Sequence, residues 1–445
     1  MQNLVAILWH YAIAKRNAHR WRNRADLEAW QDRAVQKHLA HILPRSPFYR
    51  QLYAGRSASG WREFPMVSKT ELMANFDSWN TVGIRWEDAL AVALKAESSR
   101  DFAPTIGSVT VGLSSGTSGS RGLFLVSPAE RRAWAGNLLA KILPGSLFAL
   151  HRVALCFRAN SNLYGSVKSR RVQFGFFDLL EPPEQLAQKL GKFQPTLLVA
   201  PPAMLRLLAE KQRAGLLHIQ PTRIFSVAEV LEPHERAAIE QPFGQHLHEI
   251  YQATEGFLAA TCAHGTIHLN EDNLVVQKEW IDRAQKKFTP VITDFRRSTQ
   301  PVLRYRLNDI LTERGSPCPC GSIFTALEKI EGRCDDLLQF PTNHPGKTMA
   351  VFPDFIRRAI ITSDETITEY SVIQNISGKL EITLEVPPAA WSRAEKSVRA
   401  NFLEMCVTLG CSCPEIILTP FISPNLNAKH RRVQSKYLPN TQSFS

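Results

Sequence analysis

Apolar side chains recur at helical spacing in the first hundred residues. One run predicts a helix over residues 25–43, which ends before Pro44. Its apolar positions are Leu27, Trp30, Ala34, Val35, Leu39 and Ile42. Ser68 and Glu71 form a capping-box pattern, in which each side chain bonds the other residue's backbone N–H, and this predicts a helix over residues 69–76. We therefore expect a helical start, residues 1–100.

After residue 105 the pattern changes to short apolar runs. Residues 109–113 alternate in character as a strand does, residues 123–126 form a second strand-like run, and a loop of small residues separates them. Further on, predicted strands and helices take turns. The predicted strands there are residues 196–200, 224–227 and 247–251. This alternation indicates an α/β protein with a mainly parallel sheet covered by helices on both faces.

The carboxyl ends of the predicted strands carry polar residues. Ala228 and Glu229 follow one strand, and residues 251–255 follow the next. Ligands of open parallel sheets bind at this edge. These two segments are therefore candidate binding residues on position alone.

The pattern of apolar and polar residues changes again near residues 332–336. Beyond it, predicted strands (residues 369–372, 380–386 and 415–419) alternate with predicted helices (residues 353–361 and 394–408). We therefore predict two domains, a large one over residues 1–334 and a small α/β domain over residues 335–445.

Composition is that of an ordinary globular protein, with 44% hydrophobic and 21% charged residues in a chain of 445. This excludes collagen-like, low-complexity and largely disordered classes, and no apolar run reaches the length of a membrane span. Lysine plus arginine number 53 against 41 acidic residues, a net charge of +12 that favours anionic partners. The basic residues are scattered, so nucleic acid is not an expected partner.

The first 24 residues combine an apolar stretch with the cations that follow it. Residues 1–14 are mostly apolar, and the basic residues after them are Lys15, Arg16, Arg20, Arg22 and Arg24. A secretory signal has the reverse order, so we expect a packed helix here, with a membrane-surface helix as the alternative. Eight cysteines without an export signal favour reduced thiols or metal ligands, and a cytoplasmic location.

Residues 114–122, between the first two predicted strands, form a loop of small polar residues and glycine. Its glycines let the backbone approach a ligand closely, its N–H groups and hydroxyls suit phosphate oxygens, and Arg121 adds a positive charge. A flexible linker is the weaker alternative, because the loop is wedged between two apolar strands. The candidate phosphate-binding residues are Ser114, Ser115, Gly116, Thr117, Ser118, Gly119 and Arg121.

The loop resembles the Ser/Thr/Gly-rich loop of the adenylate-forming superfamily, and two later segments follow in that family's order. Ala228-Glu229 resembles its Gly-Ala-Glu segment on the adenine side, and residues 251–255 resemble its Tyr-Gly-x-Thr-Glu turn. The resemblance implies that Tyr251 stacks on adenine, Thr254 bonds the α-phosphate and Glu255 holds Mg²⁺. Taken alone, Tyr251 also fits a core tyrosine and Glu255 a surface acid.

Three C-terminal motifs extend the resemblance. Residues 304–309 resemble Arg-Tyr-Arg-Thr-x-Asp, which implies that Asp309 binds the ribose hydroxyls. Residues 332–336 resemble a Gly-Arg-x-Asp-Asp hinge, which implies Asp335 as the pivot and Arg333 near the nucleotide. Lys429 stands where the family has the lysine that reaches nucleotide and carboxylate; Lys436 and Lys347 are its rivals.

Within the superfamily the chain is most similar to the phenylacetate–CoA ligase family. The short motifs on which this likeness rests are residues 302–306 (Val-Leu-Arg-Tyr-Arg), 318–321 (Cys-Pro-Cys-Gly) and 351–353 (Val-Phe-Pro). The resemblance spans about residues 43–433 and implies the adenylate-forming fold, with mixed or parallel sheets in the large domain and a mobile small domain. Ser120 departs from the family, since it replaces the usual loop lysine.

A zinc site is predicted from cysteine and histidine spacing. Cys262 and His268 lie shortly after the Tyr251–Glu255 segment, and Cys318 and Cys320 share a tight loop. Three thiolates and one imidazole make a closed tetrahedral set of the structural kind. His264 is the competing imidazole. The remaining cysteines are interpreted as packing residues.

The resemblance implies a ligase that activates a carboxylic acid with ATP and Mg²⁺ to an acyl-adenylate. Transfer to a thiol, of coenzyme A or an acyl carrier protein, is then expected. Aromatic residues around Phe174–Phe177 and Phe225 suggest an aryl or apolar acid, although the core also uses such residues; Asn160, Asn162 and Tyr164 are candidate contacts. Transfer to an amine or hydroxyl, and a non-catalytic basic binding protein, are the alternatives; a homodimer is left open.

Overall fold

The computed structural model describes most of the chain. The described residues are 2–99, 103–113, 122–147, 149–157, 171–179, 181–231, 233–333, 337–342, 344, 348–421 and 432–437. The chain divides into two compact units, one of Met1–Leu307 with Leu311–Ile330 and one of Asn308–Ile310 with Glu331–Ser445.

The first unit begins with helices. These are α1 (Gln2–Asn17), α2 (Arg24–Ile42), α3 (Pro47–Leu52), α4 (Lys69–Ala74), α5 (Phe76–Trp79) and α6 (Trp86–Ser99), with a 3₁₀ turn at Ala58–Glu63. The helix predicted over residues 25–43 is α2, and the Ser68/Glu71 capping box is formed at the start of α4. The helix predicted over residues 69–76 is shorter than expected. Asn75 leaves helical geometry, and α5 begins directly after it.

A small antiparallel sheet follows the helices. Its strands are β1 (Thr105–Ile106), β2 (Val109–Leu113) and β3 (Leu123–Val126). Leu113 lies opposite Leu123, so residues 114–122 connect two paired strand ends. Helix α7 (Pro128–Ile142) starts two residues after β3 with a second capping box, Ser127 and Glu130.

The large sheet of twelve strands begins with a parallel half. Strands β4 (His151–Phe157), β5 (Val172–Asp178), β6 (Leu197–Ala200), β7 (Arg223–Val227) and β8 (Leu247–Ala253) pair in the order β5-β4-β6-β7-β8. Helices α8 (Pro183–Phe193), α9 (Pro202–Arg213) and α10 (Pro233–Phe243) connect them. Apolar clusters lie on both faces, one with α8–α10 and one with α1 and α7, as the sequence predicts.

The other half of this sheet is antiparallel where the strand register is defined. It contains β9 (Gly256–Thr261), β10 (Ile267–Leu269), β11 (Leu274–Asp282), β12 (Lys287–Asp294), β13 (Val302–Arg306), β14 (Asp309–Glu313) and β15 (Ala326–Arg333). The antiparallel pairs are β8–β9, β9–β10, β10–β15, β11–β12, β12–β13 and β12–β14. The sheet is therefore mixed and not mainly parallel. Short turns join β8 to β9, β9 to β10 and β11 to β12, and they leave no room for a crossover.

The second unit has its own core. Strands β16 (Leu338–Pro341) and β17 (Thr348–Val351) pair together, and β20 (Glu415–Pro420), β19 (Lys379–Glu385), β18 (Glu369–Ile376) and β21 (Val433–Ser435) form a four-stranded sheet. Helices α11 (Pro353–Ile361) and α12 (Trp391–Leu409) complete the unit. Core residues include Phe340, Ile356, Val372, Ile382 and Phe402.

None of the helices in the described parts of the chain is long and apolar enough to cross a bilayer.

Candidate functional site

Three predicted site elements lie outside the described residues. They are the phosphate loop (residues 114–121), the hinge residue Asp335 and the lysine Lys429. The candidate contacts Asn160, Asn162 and Tyr164 lie outside them as well. The structure does describe β2 and β3, the strands before and after the phosphate loop, and the residues that form hydrogen bonds with β3.

Glu255 lies in the two-residue turn Thr254–Glu255 that joins β8 to β9, here called the Glu255 turn. Each of its carboxylate oxygens accepts one hydrogen bond. The Tyr305 hydroxyl donates to Oε1 at 2.8 Å, and the Thr254 hydroxyl donates to Oε2 at 2.8 Å. Glu255 is half-buried, so its carboxylate is oriented by protein groups but remains accessible. The structure thus brings the candidates Thr254 and Glu255 together and adds Tyr305.

Tyr305 is a rigid support for this carboxylate. It is 5% exposed on β13, and it belongs to the apolar cluster beneath the N-terminal helices. A buried phenol whose hydroxyl is hydrogen-bonded has little freedom to move, because both its ring and its polar tip are fixed. In the sequence, Tyr305 stands within the motif of residues 304–309 without an assigned role.

Arg297 ties the Glu255 turn to the strand that leaves the phosphate loop. Its guanidinium donates to the Thr254 carbonyl oxygen and, at 3.2 Å, to the carbonyl oxygen of Leu125 on β3. Gln300 also holds this strand, through the Leu125 N–H at 3.0 Å and the Leu123 carbonyl oxygen at 3.1 Å. The segment 297–300 is therefore a brace between the two elements.

Glu130 fixes the same brace from the start of α7. Its Oε1 accepts from the backbone N–H groups of Ser298 at 2.6 Å and Thr299 at 2.9 Å. Burial acts to raise the pKa of Glu130, but the Arg297 charge and the hydrogen bonds outweigh burial and lower the pKa. The capping box Ser127-x-x-Glu130 was the available sequence signal for this residue.

Asp294 lies buried behind the Glu255 turn. A Cβ atom on Gly256 would come within 3.1 Å of Asp294 Oδ2, so the turn and the carboxyl group are close neighbours. Burial raises the pKa of Asp294 to about 6, although the Arg296 N–H donates to Oδ1 at 2.7 Å. Asp294 was not among the predicted site residues, and no motif in the sequence marks it.

The two segments predicted on the purine side begin at neighbouring strand ends. Strands β7 and β8 are parallel, with Val227 opposite Ile250, so Ala228 follows one strand where Tyr251 continues the other. Ala228 is exposed and has a φ of +69°, a conformation that residues other than glycine adopt rarely and at some cost. Strained residues of this kind concentrate at functional sites. Glu229, next to it, is half-buried.

Tyr251 is more buried than a stacking platform requires. It is 8% exposed and belongs to the same apolar cluster as Tyr305. This burial agrees with the alternative interpretation, a core tyrosine. Stacking on adenine remains a prediction.

Asp309 and Arg333 lie together in the second unit. Arg333 Nε is 4.0 Å from Asp309 Oδ1, and their side chains are 31% and 20% exposed. The two residues predicted to contact ribose and nucleotide therefore form one polar pair. Among the rival lysines, Lys436 is exposed, and Lys347 lies outside the described residues.

The four predicted zinc ligands also lie together, and we call them the Cys/His cluster. Ligand atoms of Cys262, His268, Cys318 and Cys320 are all within 4.8 Å of one another. Cys262 and Cys318 have sulfurs 3.7 Å apart, and Cys320 Sγ is 3.4 Å from His268 Nε2. A tetrahedral zinc ion with bonds of about 2.3 Å to sulfur and about 2.05 Å to nitrogen places its ligand atoms about 3.8 and about 3.6 Å apart. The donor set therefore fits zinc.

Backbone contacts orient this cluster. His268 Nδ1 lies 3.1 Å from the Phe324 carbonyl oxygen, so an N–H at Nδ1 leaves the Nε2 lone pair for a metal. Two tight turns present the sulfurs, with Gly265 N–H bonded to Cys262 and Gly321 N–H bonded to Cys318. The competing His264 is exposed and lies outside the cluster.

All seven cysteines that the structure describes are free thiols. Cys156, Cys406 and Cys411 are buried, as expected of packing residues, and burial raises the pKa of Cys156 to about 12. Cys413 is exposed, so its interpretation as a packing residue is wrong. It follows a turn after α12 and not a core strand.

No family model matches the chain, and no curated protein matches it either. Solved structures do, and they show that the chain has the adenylate-forming fold. One is a 2-hydroxyisobutyryl-CoA ligase in its postadenylation state with an acyl-AMP, at 18% identity and a TM-score of 0.69, covering 93% of this chain and 90% of the other.

Two amide-forming enzymes have the same fold at lower similarity. The GH3.15 acyl acid amido synthetase has 13% identity and a TM-score of 0.54, with 84% of this chain and 82% of that chain covered. The amide bond synthetase McbA from Marinactinospora thermotolerans has 12% identity and a TM-score of 0.51, with 72% and 66% covered. At these identities the likeness concerns the fold.

Proposed function

We propose that the protein is a ligase that activates a carboxylic acid with ATP to an acyl-adenylate and then transfers the acyl group to a thiol. The observation that carries this proposal is the Glu255 carboxylate, fixed by Tyr305 and Thr254 at the carboxyl end of a sheet strand. This strand belongs to the adenylate-forming fold, and the acid lies where ligands of such sheets bind.

The nucleotide would contact three groups of residues. Residues 114–119 and Arg121 would hold phosphates; Ala228, Glu229 and Tyr251 would lie on the purine side, and Asp309 with Arg333 would hold the ribose. The basic net charge of +12 suits this anionic ligand. Thr254 would bond the α-phosphate.

Glu255 would hold Mg²⁺ together with phosphate oxygens. Each of its oxygens accepts a single hydrogen bond from the residues that the structure describes and retains a further acceptor site, which fits a hard cation that prefers oxygen ligands. When bound, magnesium would neutralise charge on the phosphates. Tyr305 and Thr254 would keep the carboxylate aimed at the ion before substrate arrives. The Thr254 hydroxyl has one proton to donate, so it would leave Glu255 when it bonds the α-phosphate.

Two half-reactions follow from this arrangement. In the first, a substrate carboxylate oxygen bonds to the α-phosphorus, the bond to the bridging oxygen breaks and pyrophosphate leaves. In the second, a thiolate sulfur bonds to the acyl carbon, AMP leaves with both bonding electrons, and the thiol proton goes to solvent. Positioning and charge stabilisation supply most of the catalysis in such transfers.

Lys429 and Asp335 would separate the two half-reactions. The Lys429 ammonium would bridge the substrate carboxylate and the α-phosphate during adenylation, because a compact charge on a flexible stem follows moving oxygens. Rotation of the small domain about Asp335 would then withdraw this lysine and admit the acceptor. Lys429→Ala should therefore suppress adenylation and spare ATP binding.

We propose an aryl or apolar acid as substrate. Phe174 and Phe176 are half-buried on β5, whereas Phe177 and Phe225 are buried and belong to the core. The half-buried pair lies on one face of the strand, because side chains two residues apart share a face. This face is the candidate apolar wall.

ATP–pyrophosphate exchange over a panel of aryl, fatty and short hydroxy acids tests the proposal. Exchange that depends on one class of acid is the expected result, and apolar acids should exceed acetate. Absence of ATP binding in calorimetry would contradict adenylation and favour the remaining candidate, a non-catalytic basic binding protein.

Product analysis separates the acceptors. We expect the acyl-adenylate to react with coenzyme A or with a carrier-protein thiol, with the likeness to a CoA ligase as support. The amide-forming neighbours keep transfer to an amine as the second candidate. Amide or ester formation without thioester would decide for that candidate.

The Cys/His cluster would hold a structural zinc ion. With three sulfurs and one nitrogen it offers a full tetrahedral set, so no position remains for substrate or water. Its role would be to join the β9–β10 connection to the loop at Cys318–Cys320. We also expect the protein to act in the cytoplasm, where such thiols remain reduced.

A further inference from the structure

Helix α1 is apolar on two faces, and the first unit covers one of them. Ile7 is 3% exposed and packs in one cluster with α7, and Ala14, two turns further along α1, is 4% exposed. A Cβ atom on Gly136 of α7 would lie 2.6 Å from the Ile7 carbonyl oxygen and 2.6 Å from His10 Cβ. This close approach fixes the rotation of α1, so its other face points away from the unit.

The uncovered face of α1 is a continuous apolar surface. Leu4, Val5, Leu8 and Trp9 are 53%, 65%, 39% and 65% exposed, and Ala12 lies on the same face one turn further. A helix that is apolar all round is ordinarily buried on all sides. In α1 the described residues leave one apolar face uncovered, and this exposed face indicates that α1 binds a partner.

Charge identifies the chemistry of this partner. The same face ends in the exposed cation Arg16, and Lys15 lies at its border, with its ammonium 5.6 Å from the ring of Tyr11, a residue that packs against the covered side. The first acidic residue of the chain is Asp26. Lys15 also lies in basic surroundings, since burial and then the charges of Arg223 and Lys141 lower its pKa. An apolar face that ends in uncompensated cations matches an interface with apolar tails and anionic headgroups.

We propose that α1 binds the surface of an anionic lipid membrane, lying in its plane with Leu4, Val5, Leu8 and Trp9 in the headgroup boundary. Tryptophan favours this boundary because its ring is apolar and its N–H is polar. Arg16 reaches the lipid phosphates. A second copy of the chain fits less well, because no acid on this helix compensates the cations that two copies would bring together.

Vesicle co-sedimentation tests the proposal. The full-length protein should bind vesicles of phosphatidylglycerol and phosphatidylcholine at low salt and bind phosphatidylcholine alone at least about tenfold more weakly. Val5→Ser with Trp9→Ser should reduce binding by about tenfold or more, since the exposed apolar area is lost. Arg16→Gln should reduce binding about fivefold, on anionic vesicles alone.

The matched control is a second exposed apolar pair. Leu403 and Val407 on α12 are 58% and 74% exposed, and Leu403→Ser with Val407→Ser should bind vesicles as the wild type does. Circular dichroism and ATP binding should be unchanged in both pairs. A wild type that stays in the supernatant overturns the proposal, as does equal binding by the α1 pair. Wild-type dimers that the α1 pair abolishes, without vesicle binding, would assign the face to a second copy.

Discussion

Strand β9 has a candidate site at each end, and the two sites are built in opposite ways. At its start, the Glu255 carboxylate is half-buried and retains acceptor capacity beyond its two hydrogen bonds. At its end, the side chains of the Cys/His cluster point at one another within 4.8 Å. The first arrangement leaves room for a ligand and the second is closed.

The difference lies in what surrounds each donor set. The Glu255 turn is held from outside, by Tyr305 on β13 and by Arg297 on the brace segment. The Cys/His cluster is held by backbone groups close to its own ligands, namely two tight turns and the contact of His268 with a carbonyl oxygen. A carboxylate that neighbouring groups hold in place can bind and release a ligand. Four ligand atoms that converge on one point suit a metal ion that stays bound. Substitutions at the first site should therefore affect catalysis, and those at the second should affect stability.

Glu255→Gln should produce the largest effect. The amide keeps the size of the side chain and an acceptor for Tyr305, but it lacks the charge that holds a magnesium ion. We expect the ATP–pyrophosphate exchange rate to fall by roughly 10²–10³-fold and the melting temperature to stay within about 2 °C. Glu328→Gln, at an exposed position on β15, is the control. An unchanged exchange rate would remove Glu255 from the proposed mechanism.

Cys318→Ser should show the opposite pattern. The loss of one of four ligands should release zinc and lower the free energy of unfolding by roughly 3 kcal/mol or more, since metal binding energy is folding energy. Zinc analysis and thermal unfolding with and without a chelator measure this. Cys413→Ser, at an exposed cysteine outside the cluster, should change neither. Wild-type protein that purifies without zinc would contradict the site.

The sequence predicted those secondary-structure elements that depend only on residues close together in the chain. Helix α11 has the predicted bounds, and the Ser68/Glu71 capping box is present, because both depend on residues within one or two turns. The apolar pattern did not predict the antiparallel half of the large sheet, although the resemblance implied mixed or parallel sheets. Buried strands such as β12, in which every residue is buried, show no alternation of apolar and polar positions.

The same limit applies to the sites. Residue type and spacing were enough to select the Cys/His cluster, because few chemistries need three cysteines and a histidine together. The contact between Tyr305 and Glu255 joins residues 50 positions apart and follows from the packing of β13. Arg297 was visible as half of an arginine pair, but its carbonyl partners, on the Glu255 turn and on β3, are set by the fold.

Tyr305→Phe sharpens the comparison by changing the support of Glu255 without removing the charge. Phenylalanine keeps the buried ring and deletes one hydrogen bond to a carboxylate, which corresponds to about 1.5 kcal/mol and about a tenfold lower exchange rate. Higher magnesium concentration should restore part of the rate, a response that a packing defect would not give. Tyr370→Phe, at a buried tyrosine of the second unit, is the control. Equal magnesium dependence of variant and wild type would argue against a positioning role.

Asp294→Asn tests the buried acid behind the Glu255 turn, and its effect on stability should depend on pH. Its folded-state pKa of about 6 exceeds the ordinary 3.8, so the folded protein binds the proton more tightly than the unfolded chain does. Stability from this group is therefore present below about pH 4 and is lost as the pH rises to about 6, by an amount on the order of 2–3 kcal/mol. Asparagine is neutral throughout and can accept the Arg296 N–H. The variant should thus gain stability relative to wild type between about pH 4 and pH 6, and this gain should level off above that range. Denaturant unfolding at several pH values measures the difference, and parallel pH profiles would show that Asp294 ionises as freely in the folded protein as in the unfolded chain.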